Sequence, residues 1–315
     1  MNRRCVRGID NITILVSLAS LAALYLPLLL PHLLPMPSQS KRGLCWPTSN
    51  HGNDEPFPFT KPGSKISWLY NWSPAPTPQV SSLDFIPMQW NHIGIDALPA
   101  NLQAANAKTL LAFNEPELPD QSNVPVDLAV KEWLRCIEPL RKQGVRCGSP
   151  GISSAPQGVV WLKEFVEKIR ARGGDVDFYA LHWYGEEVGQ FYDHLWSTYF
   201  QLPGHEEGEG RKGVWVTEFA ATVRVLLGAY FFLFFSGFWV VADEVWQNWN
   251  VDAPLSKEHV ETFARDSVKY LDSLEWVERY AWFGPMRDCG TVGKWARMLD
   301  DDGKLTDLGK AYRDA

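Results

Sequence analysis

Two glutamates, Glu115 and Glu218, each stand at the end of a short apolar run. The runs, Leu110–Glu115 and Val214–Ala220, have the length and composition of buried strands. A carboxylate at the end of a buried strand costs free energy unless it has a partner or a function. Two strands that each deliver one glutamate to a common face therefore indicate paired carboxylate chemistry, in which one group exchanges a proton and the other attacks carbon.

Eight candidate strands follow residue 41, and helical patterns separate several of them. Strands that alternate with helices predict a parallel sheet and the α/β class. Eight strands in about 270 residues fit a single closed (β/α)8 TIM barrel better than an open sheet, and such barrels carry the active site at the carboxyl ends of the strands. The candidate strands are Arg42–Trp46, Lys65–Trp72, Asp84–Trp90, Thr109–Glu115, Val145–Ser149, Asp177–Tyr184, Val214–Ala220 and Arg279–Gly284.

Several helices are indicated by apolar residues three and four positions apart. One such pattern covers Trp161–Ile169, and another covers Val260–Leu271, with Ser256 as its expected N-cap. An earlier helix is expected to stop at Gly144 and to be kinked or shortened by Pro139.

The barrel prediction places both glutamates at one rim. The fourth and seventh strands face each other across the mouth, so Glu115 and Glu218 can reach the separation of about 5 Å that a retaining glycosidase needs. Asn114 could bind a substrate 2-hydroxyl group. His182 and Tyr184 lie on one side of their strand, where either could orient Glu218. A purely structural role is the alternative for His182.

Other side chains at these strand ends are candidates for substrate binding, because flat aromatic faces stack on sugar rings. Trp282 is expected to form the floor of one subsite. Asn71 begins a glycosylation sequon, but its place at a strand end favours a substrate-facing role. Glu117, Glu186 and Glu187 are expected to be surface charges. The candidate substrate-binding residues are Asn71, Trp72, Trp90, Asn114, His182, Tyr184 and Trp282.

The composition limits the classes of binding partner that are expected. Net charge is −7 without a long basic run, which argues against a nucleic-acid partner. The 15 tryptophans suit either an aromatic cleft or a Trp-rich core. No cysteine pair has metal-ligand spacing. No cofactor is expected. The sequence is compatible with either free thiols or disulfides for four cysteines, Cys45, Cys136, Cys147 and Cys289.

The N-terminal segment has the layout of a targeting signal. Arg3, Arg4 and Arg7 precede an apolar run from Ile12 to Leu34. Residues 1–40 are therefore interpreted as a signal peptide, or an uncleaved signal anchor, followed by a linker. Both interpretations place the domain at 41–315 outside the cytosol. It would be secreted or in the cell wall, or it would belong to a type II membrane-anchored protein that meets the membrane only through this segment.

Eight short motifs, one on each candidate strand, resemble glycoside hydrolase family 128 as an ordered set. They span residues 41–46 (Lys-Arg-Gly-Leu-Cys-Trp), 67–73, 85–90, 111–117 (Leu-Ala-Phe-Asn-Glu-Pro-Glu), 147–150, 178–184 (Phe-Tyr-Ala-Leu-His-Trp-Tyr), 215–220 (Trp-Val-Thr-Glu-Phe-Ala) and 280–284.

The resemblance implies a clan A barrel that hydrolyses β-1,3-glucan with retention and without a metal. It implies Glu115 as the acid/base and Glu218 as the nucleophile. Many members of the family are fungal, and the family contains endo-acting and exo-acting enzymes as well as members that mainly bind oligosaccharides. A monomeric endo-β-1,3-glucanase is expected here. The alternative is a non-hydrolytic glucan-binding protein on the same barrel.

Residues 223–247 match neither the family pattern nor the polar composition that is expected of a barrel loop. This strongly apolar segment follows directly on the strand that carries Glu218, where a short polar loop is expected. It is long enough for a membrane span and could also form a lid. A third interpretation is preferred, namely a retained intron translated in frame. Its 25 codons keep the frame, and Val223 and Gln247 can be encoded by splice-site-like sequences. Sequencing the transcript across this junction tests the hypothesis.

Overall fold

The computed structural model describes residues 40–48, 50, 56–76, 83–206, 208, 210–226, 246–248 and 255–314. They lie within one compact unit, Ser40–Ala315. The predicted signal or anchor segment at 1–40 lies outside the described residues except for its last position. In the part of the chain that is described, no helix is both long enough and apolar enough to cross a bilayer.

The barrel strands are parallel and appear in the order that the sequence predicts. Six of them form one sheet in the order β3-β2-β1-β10-β7-β6, and β4 pairs with β5. The strands are β1 (Arg42–Cys45), β2 (Ile66–Tyr70), β3 (Asp84–Phe85), β4 (Thr109–Leu110), β5 (Arg146–Cys147), β6 (Phe178–Gly185), β7 (Gly213–Ala221), β8 (Arg224–Leu226), β9 (Trp246–Asn248) and β10 (Val277–Trp282).

Single parallel bridges join the two sheets into a ring. Met88 bridges to Leu111, which links the chain after β3 to the chain after β4. Gly148 bridges to Phe178, which links the chain after β5 to β6. Eight parallel strands therefore close on themselves, which confirms the α/β fold and its (β/α)8 arrangement. Their carboxyl ends share one rim.

Seven α-helices are described between and after the strands. The helix α6 begins where Ser256 caps it, because the Ser256 hydroxyl accepts a hydrogen bond from the His259 N–H at 3.2 Å. The helices are α1 (Leu98–Ala104), α2 (Val126–Glu132), α3 (Glu138–Lys142), α4 (Pro156–Arg170), α5 (Val188–Tyr199), α6 (Lys257–Ser273) and α7 (Asp307–Asp314).

The regular helix is interrupted next to Pro139, which was predicted to kink or shorten it. A π-helical turn at Trp133–Ile137 separates α2 from α3, and Pro139 stands in the first turn of α3. Proline has no N–H to donate to the preceding turn, so the regular helical ladder is interrupted there. Gly144 follows with φ +97°, a left-handed conformation that ends the helix.

The barrel interior is filled by large aromatic side chains. Trp68, Phe178 and Trp215 are buried there, and the rings of Phe178 and Trp215 stack at 4.2 Å. Trp68 lies so close to β1 that a Cβ added at Gly43 would be 2.1 Å from its ring. This packing closes the lower barrel and leaves the carboxyl-terminal rim open for a site. A second, larger apolar layer lies between the strands and the helices.

The two ends of the anomalous segment lie side by side. Arg224–Leu226 pairs antiparallel with Trp246–Asn248, with Arg224 opposite Asn248. Residues 227–245 lie outside the described residues, and the lid, membrane-span and retained-intron interpretations fall mainly on them. The question left open for the cysteines is answered by the structure, in which Cys45, Cys136, Cys147 and Cys289 are free thiols.

Candidate active site

Glu218 lies near the carboxyl end of β7 and is held by three donors. Trp72 Nε1–H donates to its Oε1 at 2.7 Å, and the Tyr70 O–H, which the Thr217 carbonyl shares at 3.0 Å, donates to the same oxygen at 3.2 Å. Tyr184 O–H donates to Oε2 at 2.6 Å. A carboxylate that accepts hydrogen bonds from three sides has a fixed orientation and acts as an acceptor. The side chain is nevertheless only 5% exposed, with its free face toward the cleft.

Glu115 reaches the same place from an unusual backbone conformation. Its φ is +41°, in the left-handed region that few non-glycine residues adopt. Its N–H donates to the Gly151 carbonyl at 2.7 Å, which anchors the turn to the neighbouring strand end. Backbone strain of this kind persists only where the surrounding structure enforces it, and it is concentrated at functional sites.

His182 connects the two glutamates from below. Its Nδ1 lies 2.9 Å from Glu115 Oε1 and 3.7 Å from Glu218 Oε2, and the ring is fully buried. Burial by itself lowers the pKa of His182, but the charges of Glu218 and Glu115 outweigh it and raise the pKa to about 9. Burial raises the pKa of Glu115 above its ordinary value, although the bond to His182 opposes the shift. Glu115 and His182 therefore hold protons as a pair.

One atom from each of Glu115, His182 and Glu218 lies within 4.8 Å of the others. Such a group, found among the described residues, has the size of a metal site, but a metal on Nδ1 would replace the hydrogen bond between Glu115 and His182. Glu218 is already held by three donors. The arrangement suits two carboxyl groups acting on one bond, since retaining glycosidases place them about 5–5.5 Å apart.

A cleft of about 590 Å³ opens above this pair. Four of the candidate substrate-binding residues border it, namely Trp72, Trp90, Asn114 and Tyr184. The rest of the lining was not among the predicted site residues. Phe283 lies near the end of the last candidate strand, and the others come from loops without strand or helix periodicity, namely Pro47, Asn50, Gln121, Met286, Arg287 and Asp288.

The structure corrects the prediction for Asn71. Its side-chain amide donates to the Ala75 carbonyl at 3.0 Å, and its Oδ1 accepts from the Ser73 N–H at 3.2 Å. Both ends of the amide therefore close the turn after β2 instead of facing the cleft. The residue is 3% exposed, so the asparagine that would accept a glycan is buried.

Trp282 is not the floor of a subsite. It is fully buried in the layer between strands and helices, stands edge-on to Phe219, and donates Nε1–H to the Ala296 carbonyl at 2.8 Å. Successive strand residues face opposite sides, so the next residue, Phe283, faces the cleft between Trp72 and Tyr184. The predicted alternation was wrong by one residue.

His182 also differs from its predicted role. It is completely buried beneath the carboxylates, so it does not line the cleft, and its hydrogen bond goes to Glu115 instead of Glu218. The prediction that Tyr184 orients Glu218 agrees with the 2.6 Å hydrogen bond. Its Nδ1 lies near an oxygen of each glutamate.

The contrast between Trp282 and Phe283 gives a matched pair of variants. Trp282→Ala is expected to lower the free energy of unfolding by about 3–5 kcal/mol, because it leaves a large cavity in a closed layer. Phe283→Ala removes a cleft wall, so it should cost far less stability and should raise KM. Chemical denaturation and steady-state kinetics of both variants check this. A larger stability loss for Phe283→Ala would contradict the assignment of the two faces.

A closed parallel barrel with two carboxyl groups facing one another at its carboxyl rim is the architecture of a glycoside hydrolase. A family model described as "Glycosyl hydrolase catalytic core" matches residues 43–312. The chain belongs to this family of hydrolases and, by its motifs and its likeness to solved structures, to glycoside hydrolase family 128.

Two solved structures illustrate the likeness. The chain is 27% identical to a family 128 curdlan-specific exo-β-1,3-glucanase from Blastomyces gilchristii, with 89% of this chain and 100% of that chain covered and a TM-score of 0.65. It is also 27% identical to a family 128 endo-β-1,3-glucanase from Amycolatopsis mediterranei in complex with laminaritriose, with 87% and 98% covered and a TM-score of 0.61.

A curated relative is longer. Alkali-sensitive linkage protein 1 of Schizosaccharomyces pombe is 29% identical over 279 residues, which cover 86% of this chain and 44% of the relative. The chain therefore spans less than half the length of that protein.

Proposed function

We propose that this barrel hydrolyses β-1,3-glucan with retention of anomeric configuration, with Glu115 as acid/base and Glu218 as nucleophile. The observation that carries the proposal is the close pairing of the two carboxyl groups in contrasting surroundings. Glu218 accepts three hydrogen bonds, whereas Glu115 shares a proton with His182. One group is thus built to attack and the other to exchange a proton.

The reaction follows from this asymmetry in two steps. Glu218 attacks the anomeric carbon from one face while Glu115 gives its proton to the departing glycosidic oxygen, which leaves a covalent glycosyl-enzyme. Glu115 then takes a proton from water, and the water oxygen displaces Glu218 from the anomeric carbon. Each displacement inverts the carbon, so the product keeps the original configuration. Asn114, which borders the cleft beside Glu115, is positioned to bind the 2-hydroxyl group.

Substrate recognition would rest on the aromatic cleft walls. Trp72, Trp90 and Phe283 can stack on the flat apolar faces of glucosyl rings. The β-1,3 linkage is inferred from the relatives, which are named as β-1,3-glucanases with glucose or laminaritriose bound. Those relatives include an exo-acting and an endo-acting enzyme. Endo action, as expected from the sequence, remains part of the proposal and would be tested by the length of the first products.

Laminarin provides the direct test. The purified enzyme is expected to release reducing sugar from laminarin or curdlan, and proton NMR at early times should detect the β-anomer first. Cello-oligosaccharides, in which the glucosyl units are β-1,4-linked, serve as the linkage control and should be hydrolysed far more slowly. Early appearance of the α-anomer would contradict retention. Binding of laminarin without any release of reducing sugar would favour the glucan-binding alternative. The presence of both carboxylates argues against that alternative.

The location and the extent of the domain are also proposals. We infer that residues 1–40 direct the barrel at 41–315 out of the cytosol, to the cell exterior or wall, as a monomer. A relative from a fungus fits this view, as does the polysaccharide substrate. For the retained-intron hypothesis, removal of 223–247 would join Thr222 to Asn248, and Asn248 pairs with Arg224, two residues after Thr222.

A further inference from the structure

Glu117 is a third carboxylate behind the catalytic pair. The sequence predicts a surface charge, but its Oε1 accepts the Ser153 N–H at 2.7 Å and its Oε2 is buried. The side chain packs against the first turn of α4, where a Cβ added at Gly158 would lie 3.0 Å from Oε1. The residue as a whole is half-buried.

The segment bound by Glu117 also holds both members of the proton-sharing pair. The Gly151 carbonyl accepts the Glu115 N–H at 2.7 Å, and the Ile152 carbonyl accepts the His182 N–H at 2.9 Å. Gly151 also lies against the imidazole, since a Cβ added there would be 3.0 Å from His182 Nε2. Through Ser153, Glu117 therefore fixes the strand end on which the positions of Glu115 and His182 depend.

We propose that Glu117 is a positioning residue for the acid/base, and that its negative charge behind Glu115 and His182 helps this pair to keep its proton. The proposal rests on the proposed hydrolase function of the same site. The other groups that act on the pair include Glu218, Tyr70, Tyr184 and Asp120. Of these, Asp120 is exposed and lies in a turn. Glu117 differs from Asp120 because its carboxylate Oε2 is shielded from solvent. Charges interact more strongly away from water than in it.

The sign of the effect follows from the ionisation of Glu117. Burial, with a smaller contribution from the charge of Glu115, raises the pKa of Glu117 to about 7. Above that pH Glu117 is negative, and its charge raises the pKa of His182, which shares a proton with Glu115. The proton needed by the leaving oxygen is therefore retained to higher pH. The effect of the Glu117 charge is therefore expected on the alkaline limb of the pH–rate profile. It is absent at pH values where Glu117 is neutral.

Glu117→Gln separates charge from hydrogen bonding, because the amide oxygen can still accept the Ser153 N–H. The alkaline limb of kcat/KM is expected to move to lower pH by roughly 0.5–1 unit in this variant. Asp120→Asn is the matched control, since it removes an exposed charge near the same pair and should move the limb little. An unchanged limb in Glu117→Gln would reduce Glu117 to a purely structural role and overturn the proposal.

NMR titration of the His182 imidazole gives a readout that does not require hydrolysis. In the wild-type protein, the His182 signals should respond near pH 7, where Glu117 ionises, and again near pH 9. The first response should vanish in Glu117→Gln, and the second should fall in pH. A wild-type titration without the response near pH 7 would overturn the proposal even if the variant failed to fold. A wild-type protein inactive on laminarin would count against the hydrolase function alone.

Discussion

Glu218→Gln is expected to lose hydrolysis of laminarin by roughly 10⁴-fold or more, with the fold intact. Glutamine has almost the shape of glutamate, and its single oxygen can still accept from Trp72 and Tyr70 while its NH2 group donates to the Tyr184 hydroxyl oxygen. Its amide cannot form the glycosyl-enzyme. Initial rates of reducing-sugar release measure the loss. Glu187→Gln is the matched control, because Glu187 is an exposed carboxylate outside the cleft and its replacement should leave the rate nearly unchanged.

Azide separates loss of the nucleophile from general damage. In Glu218→Ala the space left by the carboxylate can admit azide, which would displace an activated aryl leaving group from the anomeric carbon in one step. One displacement inverts that carbon, so the expected product is the α-glycosyl azide. Formation of the β-glycosyl azide would show that an enzyme nucleophile remains, and Glu218 would not be it. Glu218→Gln with undiminished laminarin hydrolysis would refute the assignment directly.

Glu115→Gln is expected to slow laminarin hydrolysis by about 10²–10⁴-fold, the usual contribution of general acid–base catalysis. The loss should depend on the leaving group, since a dinitrophenolate departs without protonation while a sugar alkoxide does not. Formation of the glycosyl-enzyme from a dinitrophenyl laminaribioside should therefore be nearly normal, and its breakdown by water should become limiting. A burst of dinitrophenolate followed by slow turnover is the observable.

The outcome with azide must differ from that of the nucleophile variant. In Glu115→Ala, azide needs no general base and attacks the glycosyl-enzyme formed on Glu218, so two inversions give the β-glycosyl azide. Equal losses for the sugar and dinitrophenyl leaving groups would contradict an acid role. The pair of azide products thus assigns both glutamates without reference to any relative.

Much of this architecture is predictable because its signals are local. Apolar runs identify all eight barrel strands, and Ser256 and Gly144 mark helix ends by their side-chain chemistry and backbone freedom. The strand lengths are less predictable. The candidate Thr109–Glu115 is a strand only over Thr109–Leu110, because beyond it the pairing is reduced to single bridges and then ends at the left-handed Glu115.

The site is predictable as a set of strand ends, but not in its contacts. Glu115 and Glu218 meet because parallel strands share a rim, whereas the partner of His182 depends on a turn at Glu115 that no sequence period encodes. Whether Trp282 or Phe283 faces the cleft depends on the residue from which the alternation of the strand's two faces is counted. Glu117 was missed for a related reason, because a charged residue in a loop gives no sign of being folded inward.

Trp72 has a consequence for anyone who would redesign the specificity of this enzyme. Its indole N–H binds Glu218 while its ring borders the cleft, and it sits on left-handed backbone with φ +54°. Under the proposed mechanism, substrate choice and nucleophile alignment would thus depend on a single side chain at this wall, and mutation there would change both. Trp90 and Phe283 border the cleft from other segments and are the safer positions for directed libraries.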